Sequence, residues 1–259
     1  MSSINVLVVG DIVGRPGRRI VRDKLQDIVK THSVDMVIAN GENAAHGKGI
    51  TPEITHELFS YGISVITTGN HIWNNKSILS ILGSEDRLLR PANYPPGVEG
   101  YGHCIIRVRD QRVCVVNLLG RIYMSPVDCP FRKFDEIYNR LKNDTKIFIV
   151  DFHAEATSEK RAFGWYVDGR ASACFGTHTH IQTADEVIQP HGTGYITDIG
   201  MSGSMNSVIG MNKDVSIHNF LMQTRASHEV ATGEAMICGA VFTITAEGKT
   251  TKVERVNHR

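Results

Sequence analysis

The 259 residues can bury one large core, and 28 Lys and Arg against 27 Asp and Glu give no reason to expect a nucleic-acid or membrane surface. The composition, 41% hydrophobic, is that of an ordinary globular chain; the apolar stretch INVLVV is too short to span a bilayer and meets Asp11 at once, and it lacks the charged start and small-residue cleavage site expected of a secretion signal. Cys104, Cys114, Cys129, Cys174 and Cys238 are scattered and never spaced Cys-x-x-Cys, so they read as free or buried thiols of a reducing compartment, the cytoplasm.

In chain order, INVLVV reads as a buried strand. RRIVRDKLQDIVK follows as a helix with Ile20, Val21, Leu25, Ile28 and Val29 on one face. DMVIAN is a second strand. TPEITHELFSYG is a helix with Thr51 as N-cap, Pro52 at its first position and Gly62 at its stop. SVITT is a third strand, leading through GNHIW into NKSILSILG. This alternation predicts a parallel sheet covered by helices. Later runs, HCIIRV, RVCVVNL, TKIFIVDF, ASACFGT, GYITDI and AMICGAVFTIT, are closely spaced, with a hairpin at RVRDQRV; the second half reads as strand-rich, mixed or antiparallel. The expectation is one α/β domain over 1–259, with two packed sheets or one large mixed sheet.

Ligands of open α/β proteins sit beyond the carboxyl ends of the strands. Here those ends carry metal-binding groups: Asp11; Glu42 and Asn43; Asn70 and His71; Asp151 and His153; His178 and His180. Each alone has a plainer reading, since an Asp after a strand is commonly a turn former and a single His a core residue. His-x-His is stronger, because i and i+2 of an extended segment face the same way. Asp11, Glu42, Asn43, Asn70, His153, His178 and His180 outnumber what one structural zinc takes, and no cysteine falls among them. Such mixed oxygen and nitrogen donors suit two ions of Mn, Fe or Zn, roughly 3.5–4 Å apart, better than calcium.

In their order, GD, GEN, GNH, the His of DFHAE and GTHTH resemble the motif series of the calcineurin-like metallophosphoesterases. GDIVGRPGRR, GENAAHGKGIT, TTGNHIW, DFHAEATSEK, GTHTHIQTADE and YITDIGMSG resemble more closely the YmdB-like subgroup, over residues 4 to about 244. The resemblance implies a sandwich of two mixed β-sheets flanked by helices, in α-β-β-α layers. The chain departs from the wider superfamily at Asp11, which is followed by Ile12 and Val13 in place of Asp-x-His, and at GEN, which has Glu42 for a bridging Asp.

The subgroup implies that Glu42 bridges and Asn43 replaces the missing histidine. One ion would then take Asp11, Glu42, Asn43 and His180, and the other Glu42, Asn70, His153 and His178. His71 would point toward substrate and protonate the leaving oxygen or stabilise the phosphoryl charge. The cofactors implied are two divalent or mixed-valence transition-metal ions, Fe or Mn first and Zn as the alternative. The reaction implied is hydrolysis of a small-molecule phosphodiester, a 2′,3′-cyclic nucleotide, by a metal-bridging hydroxide. A homo-oligomer, dimer or tetramer, and a role in RNA or nucleotide signalling are implied too, with no stable nucleic-acid binding. A phosphomonoesterase and a non-catalytic nucleotide-binding regulator are the competing readings. Glycines 10, 14 and 17 do not fit the G-x-G-x-x-G of a dinucleotide-binding loop and are read as permitting a sharp turn and close approach at a strand end.

Asp151 and Asp198 read as loop caps or as orienters of ligating histidines. His46 and Lys48 read as a solvated glycine loop. Arg121 and residues 157–161 are left open between a substrate pocket and a subunit contact.

Overall fold

The computed structural model describes residues 3–223, 226–227 and 229–259. In chain order the strands are β1 (Ile4–Val9) and β2 (Asp11–Ile12), then helix α1 (Gly14–Thr31), β3 (Met36–Asn40), α2 (Pro52–Ser60) and β4 (Val65–Thr67). Two 3-10 turns, Asn70–Asn74 and Lys76–Ile78, lead to α3 (Leu79–Leu82), β5 (His103–Val108) and β6 (Gln111–Leu119). The remainder is α4 (Pro130–Leu141), β7 (Ile147–His153), α5 (Thr157–Val167), β8 (Ala173–Thr177), β9 (Val187–Ile188), β10 (Gly194–Ile196), β11 (Met201–Ser204), α6 (Lys213–Met222), β12 (Ala235–Ile244) and β13 (Thr250–His258).

A seven-stranded sheet runs β2-β11-β12-β1-β3-β4, with β13 paired to β12, and a six-stranded sheet runs β5-β6-β7-β8-β10-β9. β1, β3 and β4 are mutually parallel, as the sequence rhythm predicts. Their side chains alternate. Val6 and Val8 of β1 pack against Val113, Ile149 and Phe175 of the other sheet, while Leu7 and Val9 pack on Val21 and Leu25 of α1. The outer face of the second sheet, with Val116, Val150 and Phe152, is covered by Phe134 of α4 and Phe163 of α5. The result is the α-β-β-α sandwich of two mixed sheets.

The second half differs from its sequence reading in two ways. Its sheet is mixed, but β6, β7, β8 and β10 are parallel, and only β5 and β9 run against them. Parallel neighbours need crossovers, and these are α4 and α5, helices that the closely spaced apolar runs concealed. All five cysteines are free thiols, and none of the helices among the described residues is long and apolar enough to cross a membrane.

The opening glycines act through close approach as well as through turning. Gly14 has φ +56°, a left-handed conformation, and starts α1 four residues earlier than the apolar pattern suggests. A Cβ on Gly10 would collide with the Gly200 carbonyl oxygen, and one on Gly17 with that of Ser202. Alanine in place of a helical glycine ordinarily stabilises by about 0.5–1 kcal/mol. Gly17→Ala is expected instead to destabilise by about 1–3 kcal/mol, read as a lower urea midpoint at unchanged slope.

Candidate metal centre

Parallel pairing sets the strand ends side by side. Leu119 of β6 lies opposite His153 of β7, which lies opposite Thr177 of β8; in the other sheet Asn40 of β3 lies opposite Thr67 of β4. His153 is itself the last residue of β7 and Asp11 lies in β2; Glu42 and Asn43 follow Asn40, Asn70 and His71 follow Thr67, and His178 and His180 follow Thr177. Gly69 lies so close that a Cβ there would collide with the His153 ring and the Glu42 carboxylate.

The candidate side chains meet as follows. Glu42 Oε1 lies 3.1 Å from His153 Nε2 and 3.2 Å from His71 Nδ1, and Glu42 Oε2 accepts the His71 N–H at 3.0 Å. His178 Nδ1 is 3.0 Å from His153 Nε2, and Glu42, His153 and His178 present ligand atoms within 4.8 Å of one another. Asp11 Oδ1 faces His180 Nε2 at 3.7 Å, while its Oδ2 accepts the His178 N–H at 3.2 Å. Asn43 donates through Nδ2 to the Gly47 carbonyl at 2.9 Å, which leaves its Oδ1 turned elsewhere.

Asp11 Oδ1, Glu42 Oε1, Asn43 Oδ1 and Asn70 Oδ1 are all buried and accept no hydrogen bond of acceptable geometry. Glu42 Oε1 has its imidazole neighbours close by, but out of line. A buried acceptor without a donor costs about 1–3 kcal/mol. Oxygens left in this state near imidazole nitrogens are what hard or borderline cations take, so the residues present, with the Glu42, His153 and His178 cluster at their centre, fit a bound divalent metal.

Electrostatics point the same way. Burial pushes the Asp11 carboxyl above its ordinary value, against the pull of His180 and His153. Burial would raise Glu42 as well, but His153 and His71 hold it well below the usual carboxylate range. His153 is raised to about 9: burial opposes its charge, and Glu42, Asp11 and Asp151 overcome that. His178 falls to about 3 through burial and the charge of its neighbour His153.

One expectation about the histidines needs correction. Residues 178–180 are not an extended segment. His178 has φ +95° and His180 φ +66°, so a tight turn, rather than strand alternation, sends one imidazole to His153 and the other to Asp11. His71 is tied to the centre through one ring nitrogen. Its Nδ1 sits against Glu42 and, at 3.1 Å, against Asn43 Nδ2, and only Nε2 is unengaged among the described residues.

Several supporting residues were missed or only half read. Asp151 is buried and ligates nothing; its carboxylate accepts Thr177 Oγ1 at 2.7 Å, Thr67 Oγ1 at 2.5 Å and Asn40 Nδ2 at 3.1 Å. With its hydroxyl proton given to Asp151, Thr177 can accept from His153 Nδ1 at 2.8 Å, which turns Nε2 toward Glu42. Burial raises Asp151 to about 6, against the pull of His153 and the two threonines. Glu155 Oε2 lies 3.0 Å from His178 Nε2. The available signal was polar Asn40, Thr67 and Thr177 closing otherwise apolar strands. His46 and Lys48 are exposed, as expected of a solvated loop.

In the metal-free protein Asp11 is a desolvated carboxylate with an unbonded oxygen. Asp11→Asn is expected to leave that form as stable or to stabilise it by about 0.5–2 kcal/mol, measured by denaturant titration in EDTA. The same substitution is expected to diminish the rise in melting temperature that Mn²⁺ gives the parent.

The YmdB-like protein family model matches residues 7–256. The chain is 43% identical over 254 residues to a Bacillus subtilis (strain 168) protein named 2′,3′-cyclic-nucleotide 2′-phosphodiesterase, covering 98% of this chain and 96% of that one. Among solved structures, a Mycoplasma pneumoniae protein described as a novel phosphatase superposes with a TM-score of 0.94 at 37% identity, covering 99% of this chain and 94% of that one. A hypothetical protein from Thermus thermophilus gives a TM-score of 0.93 at 38% identity, with 98% of each chain covered. The chain therefore belongs to the YmdB-like family.

Proposed function

We propose that the chain is a metal-dependent phosphodiesterase acting on 2′,3′-cyclic nucleotides at the end of the sandwich where the two sheets meet. The observation that carries this reading is the set of buried, undonated oxygens of Asp11, Glu42, Asn43 and Asn70, with Glu42 beside His153 and His178 and Asp11 beside His180. Asp11, Glu42, Asn43 and His180 would hold one ion, and Glu42, Asn70, His153 and His178 the other. Bound there, two Fe or Mn ions, or Zn, would supply an acidified water and neutralise phosphoryl oxygens.

The protein's own groups do the rest. Asp151 and Thr177 keep His153 in one tautomer. Glu42 and Asn43 engage His71 Nδ1, so Nε2 is the nitrogen left to protonate the leaving ribose oxygen. The diester substrate is supported by the 43% identity to the Bacillus subtilis protein. A homo-oligomer belongs to the same proposal, supported by Phe220, Leu221 and Met222, which stand exposed on α6. The cytoplasm is supported by the free thiols.

Assays of 2′,3′-cyclic, 3′,5′-cyclic and linear diesters beside nucleoside monophosphates test the reading, with metal content measured on the same protein. Turnover of the 2′,3′-cyclic substrate with about two ions per chain is expected. His71→Ala is expected to lower kcat by about 10²–10⁴ without changing the ion content. Cleavage of monoesters alone would leave a phosphomonoesterase, and ion-replete protein without turnover would leave a binding regulator.

A further inference from the structure

Two segments with buried charges, Thr157–Arg161 and Thr197–Gly200, take no part in the chemistry above. Lys160 on α5 and Asp198 after β10 form an ion pair, Nζ to Oδ2 at 2.7 Å, with side chains only 2% and 1% exposed. Asp198 is the hub. Its Oδ2 also accepts from Thr179 Oγ1 at 2.7 Å and from Thr179 N–H at 3.3 Å, and its Oδ1 accepts from Gly200 N–H at 2.8 Å. Thr179 is the residue between His178 and His180. The Gly200 carbonyl in turn accepts the Asp11 N–H at 3.2 Å.

We propose that the buried Lys160–Asp198 pair is the positioning element of the centre, clamping Thr179 so that His178 and His180 are set, and Asp11 aligned through Gly200, before any ion arrives. The proposal rests on the reading of those residues as metal ligands. Its physical reason is the backbone. His178 and His180 both have positive φ, a conformation that persists only where surrounding structure over-determines it. A pair serving the fold alone is commonly replaceable by apolar residues of similar size, and it has no need to bond the one residue flanked by both imidazoles. The packing is built around the lysine stem as well. A Cβ on Gly176 would lie 3.0 Å from Lys160 Cδ and would collide with the Thr197 carbonyl oxygen.

Neighbouring Glu159 turns the other way and accepts the N–H groups of Arg121 and Ile122 at 3.0 and 3.2 Å, so the first turn of α5 tethers the loop after β6 and, through Lys160, the turn after β8.

The test is calorimetric titration of metal-free protein with Mn²⁺, for the parent, Asp198→Asn, Asp198→Ala and the Lys160→Met/Asp198→Asn double variant. Asp198→Ala is expected to weaken Mn²⁺ binding by about 10–100-fold, and Asp198→Asn, which keeps an acceptor for Thr179, by less. The double variant removes both buried charges together; it is expected to keep the parent's circular dichroism while still binding Mn²⁺ more weakly. Parent-like Mn²⁺ affinity in folded variants would overturn the positioning role and leave the metal centre standing. A parent that binds no Mn²⁺ would overturn the ligand reading itself, and this proposal with it. If the Asp198 variants do not fold, Thr179→Val removes the Oγ1 bond and leaves the ion pair in place. Mn²⁺ affinity is then expected to fall, and unchanged affinity overturns the clamp.

Discussion

The constraint on which this structure turns is negative charge and unshared oxygen held out of water. Asp11 and Glu42 are both buried, and Asp11 Oδ1 and Glu42 Oε1, like the amide oxygens of Asn43 and Asn70, receive no backbone N–H or hydroxyl. A fold selected for stability alone would place apolar side chains there, since burying an uncompensated carboxylate costs several kcal/mol. The imidazoles of His153, His71 and His180 offset part of that cost. The protein accepts the remainder because a cation, once bound, is the missing partner.

Parallel strands make this concentration of polar groups geometrically possible. When β1, β3 and β4 run together in one sheet and β6, β7 and β8 in the other, their carboxyl ends share one edge of the sandwich. The buried polar side chains of these strands, Asn40, Thr67, Asn117, Asp151, His153 and Thr177, fall within the last three residues of each, where the chain leaves the sheet. Asn40, Thr67 and Thr177 stand at that boundary and bond to Asp151, forming a polar floor beneath the ligands. Close backbone approaches at Gly10, Gly69 and Gly176 allow the loops to converge over it.

The layers of support explain why charged residues far apart in sequence are buried in pairs. Asp151 fixes His153 through a threonine, and Lys160 fixes Asp198, which holds the turn that carries His178 and His180. One support acts through a hydroxyl relay and the other through an ion pair. Both supports leave Asp11 Oδ1, Glu42 Oε1, Asn43 Oδ1 and Asn70 Oδ1 without a hydrogen-bond donor, which distinguishes the cluster from an ordinary buried network.

The order of motifs, the apolar strands and the chemistry of their terminal residues were legible in the sequence, because strand burial and donor type are properties of local residues. The first helices were legible too, from the spacing of Ile20, Val21, Leu25 and Ile28 and from Thr51 and Pro52. Tertiary structure decided the rest. α4 and α5 were concealed among closely spaced apolar runs, and only the parallel pairing of β6, β7 and β8 makes crossovers there necessary. The positive φ of His178 and His180, the inward set of His71 Nδ1 and the meeting of Lys160 with Asp198 depend on contacts between residues 19 to 38 positions apart or more, which spacing along a chain does not encode. Residue type set which atoms could bind an ion; the packing of two sheets determined which of them were left without any other partner.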